Sequence, residues 1–148
     1  MNPLNLFSFI PFRLNRLADE VSKELSVVYA ERFGVDIVEW RILVTLACSG
    51  PCTAQSIVNS TRTHKSRISR GVKRLIEARL IVGETHIDDA RSVELLLTGE
   101  GKALYDNMVP SILEKEQRIM ECLSDSERAA FESALSKLEN ALNLQRKI

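Results

Sequence analysis

The sequence is short of most residues that catalysis, metal binding or secretion would require. Of its 148 residues two are histidines, His64 and His86, and three are cysteines, Cys48, Cys52 and Cys122. An odd number of thiols does not make the disulfide framework of a secreted domain. Cys48 and Cys52 with either histidine do not suggest zinc, because the cysteines straddle a helix stop and no fourth ligand stands at metal-site spacing. There is no nucleophile elbow, phosphate loop or paired-carboxylate motif, so no catalytic site, metal or cofactor is expected. Aromatics make up only 5% of the chain, and no apolar run approaches the roughly 20 residues of a membrane span. The apolar stretch Leu4 to Phe12 lacks the basic leader and cleavage pattern of a signal peptide, so a cytoplasmic protein is expected. Net charge is absent too, with 20 Lys and Arg against 20 Asp and Glu.

That balance is uneven along the chain. From Thr61 to Arg79, seven cations (Arg62, Lys65, Arg67, Arg70, Lys73, Arg74 and Arg79) meet one acid, Glu77, a net of +6 that leaves −6 for the remainder. Ile68, Val72, Leu75 and Ile76 recur at i, i+4, i+7 and i+8, the inner stripe of a helix resting on a core. Opposite them fall Thr63, Ser66, Arg67, Arg70 and Arg74, with Lys73 and Ser69 on the shoulders. A guanidinium can pair with two base-edge acceptors at once, while Ser, Thr and Lys suit phosphate oxygens, so double-stranded DNA is the natural partner. A merely solvated charged face is the ordinary alternative, and the flanking elements decide between them.

In chain order, Ile10, Leu14, Leu17, Val21, Leu25 and Val28 step by three and four, predicting a helix from about Pro11 to Arg32 that stops at Gly34. Asp36 reads as the cap of a second helix, with Glu39 placed to reach back to the cap amide, and Gly50-Pro51 ends it. Thr53 caps a short third helix, Ala54 to Asn59. A polar turn, Ser60 to Arg62, then leads to the basic helix, and the pair makes a helix-turn-helix. Leu80 to Ile87 and Val93 to Leu97 are strand-like and flank the charged Asp88 to Ser92, a hairpin beside the recognition helix and hence a wing. Thr98 begins a long helix in which Pro110 predicts a kink near Met108 or Val109, or two consecutive helices. Ser124 and Glu127 form a capping box for the last helix, with a seam of Phe131, Leu135, Leu138 and Leu142. The first and the last two helices bear more apolar seam than a small winged unit can cover, which points to a homodimer.

Trp40-Arg41-Ile42-Leu43, Ser69-Arg70 with Lys73-Arg74-Leu75, and above all the run from Asp89 through Arg91, Leu95, Leu97 and Thr98 to Gly101 resemble the MarR (multiple antibiotic resistance regulator) family. The resemblance covers residues from about 8 to the end. It implies a mainly α fold with a minor β part: a single domain, 1–148, with a winged helix-turn-helix lobe over 36–98 and a helical dimerisation lobe over 8–33 and 99–148. It also implies a homodimeric transcriptional regulator, usually a repressor, that binds a pseudo-palindromic operator and is released by a small molecule, often a phenolic or aromatic acid or its coenzyme A thioester. The recognition helix matches Thr63 to Arg79, the minor-groove arginine Arg91 and the wing aspartate Asp89. Thr63-His64 stands where many members have an acidic or serine cap.

The expected DNA contacts are therefore Ser66, Arg67 and Arg70 at base edges, Thr63, Lys65, Ser69, Lys73 and Arg74 elsewhere on the face or near phosphates, and Arg91 in the minor groove, with Asp89 shaping the wing. Arg13, Arg16 and Trp40 lie on helices that border the family's effector pocket. The plainer readings are a core aromatic for Trp40 and ion pairs for the arginines. Cys48 and Cys122, at apolar helical positions, read as small core residues. Alternatives from other classes are a winged-helix module docking on an acidic protein, and a thiol-based redox regulator acting through Cys52.

Overall fold

A computed structural model describes residues 3–86 and 89–144, and at 86 and 89–91 the backbone alone. Helix α1 spans Ile10–Val27, with Pro11 in the first turn, where its missing N–H is no loss. It continues as a wide π-helical turn, Val28–Arg32, and the chain then turns at Gly34, φ 66°, in the left-handed region that glycine enters freely. Helix α2, Ile37–Ser49, opens on Asp36, whose carboxylate accepts from the Glu39 N–H at 2.7 Å. The spacing predicts that Glu39 reaches back to the cap. Instead its carboxylate meets Arg74, a partner that lies 35 residues away in sequence.

After Pro51 a two-residue strand, β1, Cys52–Thr53, pairs with Leu95 and Glu94. Nothing local announces it, because two residues carry no periodicity. Thr53 also caps α3, Ala54–Thr61, by accepting from the Ser56 N–H at 3.1 Å. Arg62, φ 52°, turns the chain into α4, Lys65–Glu77. The helix starts two residues later than Thr63 because His64 is its cap, with Nδ1 accepting from the Ser66 N–H at 3.1 Å. Its far end is closed by Arg79 in the left-handed region, φ 61°, with the Arg79 N–H donating to the Ile76 carbonyl and the Leu80 N–H to the Leu75 carbonyl.

Strands β2, Ile81–His86, and β3, Asp89–Leu97, make the hairpin, and β1 joins the other edge of β3, giving an antiparallel sheet in the order β1-β3-β2. Ile81 pairs with Leu97 and Thr85 with Val93, then the register shifts so that His86 pairs with Asp89. The charged stretch expected as the tip is therefore largely strand from Asp89 onward. Ile87 and Asp88 fall outside the described residues. Helix α5, Gly99–Met120, runs through Pro110 as one helix, so of the two expectations there, a kinked helix or two consecutive helices, the second does not hold. A proline deletes a single donor, and the turns on either side hold. Helix α6, Asp125–Ala141, begins with the expected capping box, Ser124 Oγ accepting from the Glu127 N–H at 3.2 Å and the Glu127 carboxylate accepting from the Ser124 N–H at 3.1 Å.

The core is centred on α2. Ile42 and Leu43 have no exposed surface and cluster with Ile57 of α3, Ile68 and Leu75 of α4, Ile81 of β2, Leu95 of β3 and Met108 of α5. By contrast α1 and α6 contain no buried residue. Among the described residues no helix is long and apolar enough to cross a membrane.

Candidate nucleic-acid interface

Helix α4 rests on α2 through Ile68 and Leu75, both fully buried, with Val72 half-buried beside them. Ile76, expected in that inner stripe, is instead 43% exposed, and Gly71 takes the contact. A Cβ at Gly71 would stand 2.8 Å from Ile42 Cδ1 and 3.1 Å from Val38 Cγ1, so a side chain there would have to push the end of Ile42 aside. With this face pinned, Lys65, Ser66, Arg67, Ser69, Arg70 and Lys73 are all exposed on the other side. Among the described residues none of these four cations enters an ion pair. The surface they make is rich in donors and carries no acid, the chemistry that suits phosphates and base edges.

Two expected members of that surface are engaged elsewhere. Thr63 does not lie on the outer face: it is 4% exposed, and its hydroxyl accepts from Arg41 Nη1 at 3.1 Å. Helical spacing misplaces it because the residue precedes the helix. Arg74 turns back to α2, where Nη2 meets Asp36 Oδ2 at 2.6 Å and Nε meets Glu39 Oε1 at 3.0 Å. Burial pushes the Glu39 carboxyl above its ordinary value, with Asp36 adding to the rise and Arg74 opposing it. Ser66 keeps its hydroxyl 2.8 Å from the capping His64 Nδ1, which fixes its side chain at the start of the helix.

The wing is mounted by the residues that end the hairpin. Thr98 donates its hydroxyl to the Arg79 carbonyl at 2.7 Å, donates its N–H to the Leu80 carbonyl at 3.0 Å, and accepts from the Gly101 N–H at 3.0 Å as the cap of α5. At Gly101 a Cβ would lie 1.9 Å from the Leu80 oxygen. Only a hydrogen fits. The Leu-x-Leu-Thr-x-x-Gly spacing is thus a joint that ties the end of α4, the wing and α5 together. The backbones of Asp89 and Arg91 lie in β3, and their side chains are outside the described residues.

The nominated effector residues do not form one cluster. Trp40 is half-buried and lies between Tyr29 and Tyr105, with ring centroids 5.6 and 5.8 Å away and planes nearly parallel. Burial pushes the Tyr29 hydroxyl up, opposed by Arg41. Arg16 covers the Phe7 and Phe12 rings at 5.3 and 5.6 Å, and the groove that holds Arg13 and Arg16 is lined by α1 alone, without Trp40. Cys48 and Cys122 are exposed, correcting their expected place in the core, and Cys48 Sγ lies 3.7 Å from Tyr105 Oη. Burial and then Glu94 push the Cys52 thiol up, which lowers the thiolate fraction a redox switch would need. Among the described residues no group of three or more His, Cys, Asp or Glu is placed to hold a metal ion.

Sequence reasoning missed Asp36, Glu39 and Arg41 as partners of α4. Gly71 left a readable trace, being the one small residue between Ile68 and Leu75 on the inner stripe.

Comparison with known proteins agrees with this arrangement. The family model described as MarR family matches residues 33–92. The HTH-type transcriptional regulator FarR of Neisseria gonorrhoeae is 31% identical over 71% of this chain and 74% of its own. The crystal structure of a MarR/EmrR family transcriptional regulator from Acinetobacter sp. ADP1 superposes with a TM-score of 0.84 at 28% identity, covering 96% of this chain and all of that one. BpsR of Bordetella bronchiseptica, whose DNA binding is regulated by 6-hydroxynicotinic acid, shares the fold with a TM-score of 0.74 at 22% identity over 86% of this chain and 98% of its own. With the winged helix, the outward basic face and these relatives together, the chain belongs to the MarR family of DNA-binding transcriptional regulators.

Proposed function

We propose that this regulator is a homodimeric repressor that reads a pseudo-palindromic operator and is released by a small aromatic or phenolic acid or its thioester. The observation that supports the reading most is the α4 surface, where Lys65, Ser66, Arg67, Ser69, Arg70 and Lys73 are exposed without an acid among them. In each protomer Ser66, Arg67 and Arg70 meet base edges in the major groove, and Lys65, Ser69 and Lys73 meet phosphates. Arg91 enters the adjacent minor groove, with Asp89 shaping the wing around it. Two such helices read half-sites about 10 bp apart.

An effector weakens this grip only by binding one spacing of the two winged units better than another. Trp40, with Tyr29 and Tyr105, makes an aromatic cluster at the junction of α2 and α5, a border for the ring of an aromatic acid. The separate groove on α1 that holds Arg13 and Arg16 is the alternative seat, where those cations meet the acid's carboxylate. The regulation of BpsR by an aromatic acid is consistent with that ligand class.

Selection from a randomised duplex pool tests the DNA-reading part. A recovered pseudo-palindrome, bound about a thousandfold or more tightly than scrambled DNA and with an affinity that falls steeply with salt, is expected. Equal affinity for all duplexes would leave only a basic surface. A thermal-shift series of aromatic acids and their thioesters tests the effector: a compound that both raises the unfolding temperature and releases the duplex is expected, and stabilisation without release would contradict it.

A further inference from the structure

Three consecutive residues of α2 serve three different neighbours. Glu39 Oε1 accepts from Arg74 Nε at 3.0 Å, Trp40 lies in the aromatic stack, and Arg41 Nη1 donates to the Thr63 hydroxyl at 3.1 Å. Asp36, three residues before Glu39, takes Arg74 Nη2 at 2.6 Å while its other oxygen accepts the Glu39 N–H at 2.7 Å. One turn of α2 therefore ties down the recognition helix just before its start, through Thr63, and near its end, through Arg74. Between these ties Gly71 brings the helix axes close enough for backbone to face Ile42 and Val38 directly.

We propose that Arg74 is a positioning residue for DNA reading and not a phosphate contact: its fork, spread over Asp36 and Glu39, sets the rotation of α4 about its own axis. The inference rests on the DNA-reading assignment made above. Arg67, Arg70 and Arg74 follow one another at i, i+3 and i+7, so they share a stripe of the helix, and anchoring the last fixes the direction of the first two. The guanidinium is suited to this by shape. Nε and Nη2, held at a fixed separation in a rigid plane, engage two carboxylates at once, which an ammonium on a flexible stem does not reproduce. Nε and Nη2, two of the three nitrogens that would otherwise turn to a phosphate, are directed at protein acids. Arg41 completes the device at the other end, where Thr63 leads into the His64 cap.

The two roles predict opposite results. Arg74→Lys retains the charge and the ability to meet a phosphate but loses the fork. Asp36→Asn retains one oxygen to cap α2 but turns an amide toward Arg74, and it removes an anion beside the basic helix. Binding of each variant is measured by fluorescence anisotropy at several salt concentrations, on the duplex that the unaltered protein enriches from a randomised pool and on a scrambled duplex.

If Arg74 positions the helix, both variants lose about fivefold on the enriched duplex, the upper end for a half-exposed ion pair, with little change on the scrambled one and an unaltered salt slope. If Arg74 is a phosphate ligand, Arg74→Lys binds as the unaltered protein does and Asp36→Asn binds both duplexes more tightly; either result overturns the proposal. Thermal unfolding accompanies each measurement. Should one variant not fold, the other decides; should neither fold, the pairs hold the fold together instead of aiming the helix, which overturns the proposal as well. Failure of the unaltered protein to enrich any sequence removes the underlying reading, and that is seen before either variant is made.

Discussion

Arg70 and Lys73 stand three residues apart on α4, both exposed and both cationic, yet their chemistry predicts different losses. A fork reading a base discriminates; a point charge on a phosphate does not. Arg70→Ala is expected to cost about 1 to 3 kcal/mol on the preferred duplex and to relax preference at one base position, whereas Lys73→Ala weakens all duplexes alike and lowers the salt slope by about one. Equal losses for Arg70→Ala on preferred and scrambled DNA would remove its base-reading role. A second residue-scale prediction concerns Glu39, whose carboxyl is raised by burial, then by Asp36, against the pull of Arg74. A raised carboxyl favours folding in its neutral form, so its contribution is present below the ordinary carboxylate range and is lost as pH rises through the raised value. The unfolding temperature of Glu39→Gln relative to the unaltered protein should therefore climb as pH rises out of the ordinary carboxylate range, and a flat difference would contradict it. Sequence disclosed the outward cations of α4 because helical spacing alone places them. It did not disclose Thr63 or Arg74, whose partners lie 22 or more residues away on α2.

Elements legible in the sequence are those whose signals are local. Asp36, Thr53, Thr98 and Ser124 each accept an N–H two or three residues into the helix that follows, as their chemistry dictates. The hairpin was readable from its β-branched runs. The two-residue β1 and the wide turn after α1 were not, and at Pro110 the sequence left one helix or two open, since each is decided by what packs or pairs from elsewhere. Gly101 joins these levels. Its hydrogen faces the Leu80 carbonyl, which also accepts from Thr98, so a methyl group there cannot be accommodated by rotating a side chain. Either α5 or the end of α4 must move. Gly101→Ala is expected to destabilise the protein by about 3 kcal/mol despite the better helix propensity of alanine, as seen in chemical denaturation. It should also weaken DNA binding in the fraction that stays folded, because the displaced segment links α4 to the wing. A variant of unchanged stability would show that the joint yields without strain.

At the scale of the whole molecule, the unburied helices set the sharpest expectation. Ile10, Leu14 and Leu17 recur along α1 with 63%, 41% and 54% of their surface exposed, and Leu138 of α6 and Leu142 at its C-cap with 49% and 78%. Two amphipathic helices with no buried residue leave apolar seams in water, and covering each such side chain is worth about 1.5 to 3 kcal/mol. In the proposed homodimer a second copy supplies matching seams by symmetry, and it also gives the basic helix a twin at half-site spacing. Stability and DNA reading are then coupled through one interface. Leu14→Glu and Leu138→Glu, each placing a charge in a seam, should sediment as single chains at concentrations where the unaltered protein is paired. Affinity for the preferred duplex should drop by at least about 100-fold, since two linked contacts become one, while affinity for scrambled DNA changes far less. The secondary structure should persist in circular dichroism, because neither leucine belongs to the cluster around Ile42 and Leu43. Retained pairing in both variants would assign the seams to another occupant. Loss of pairing without loss of operator affinity would mean that one winged unit reads DNA alone.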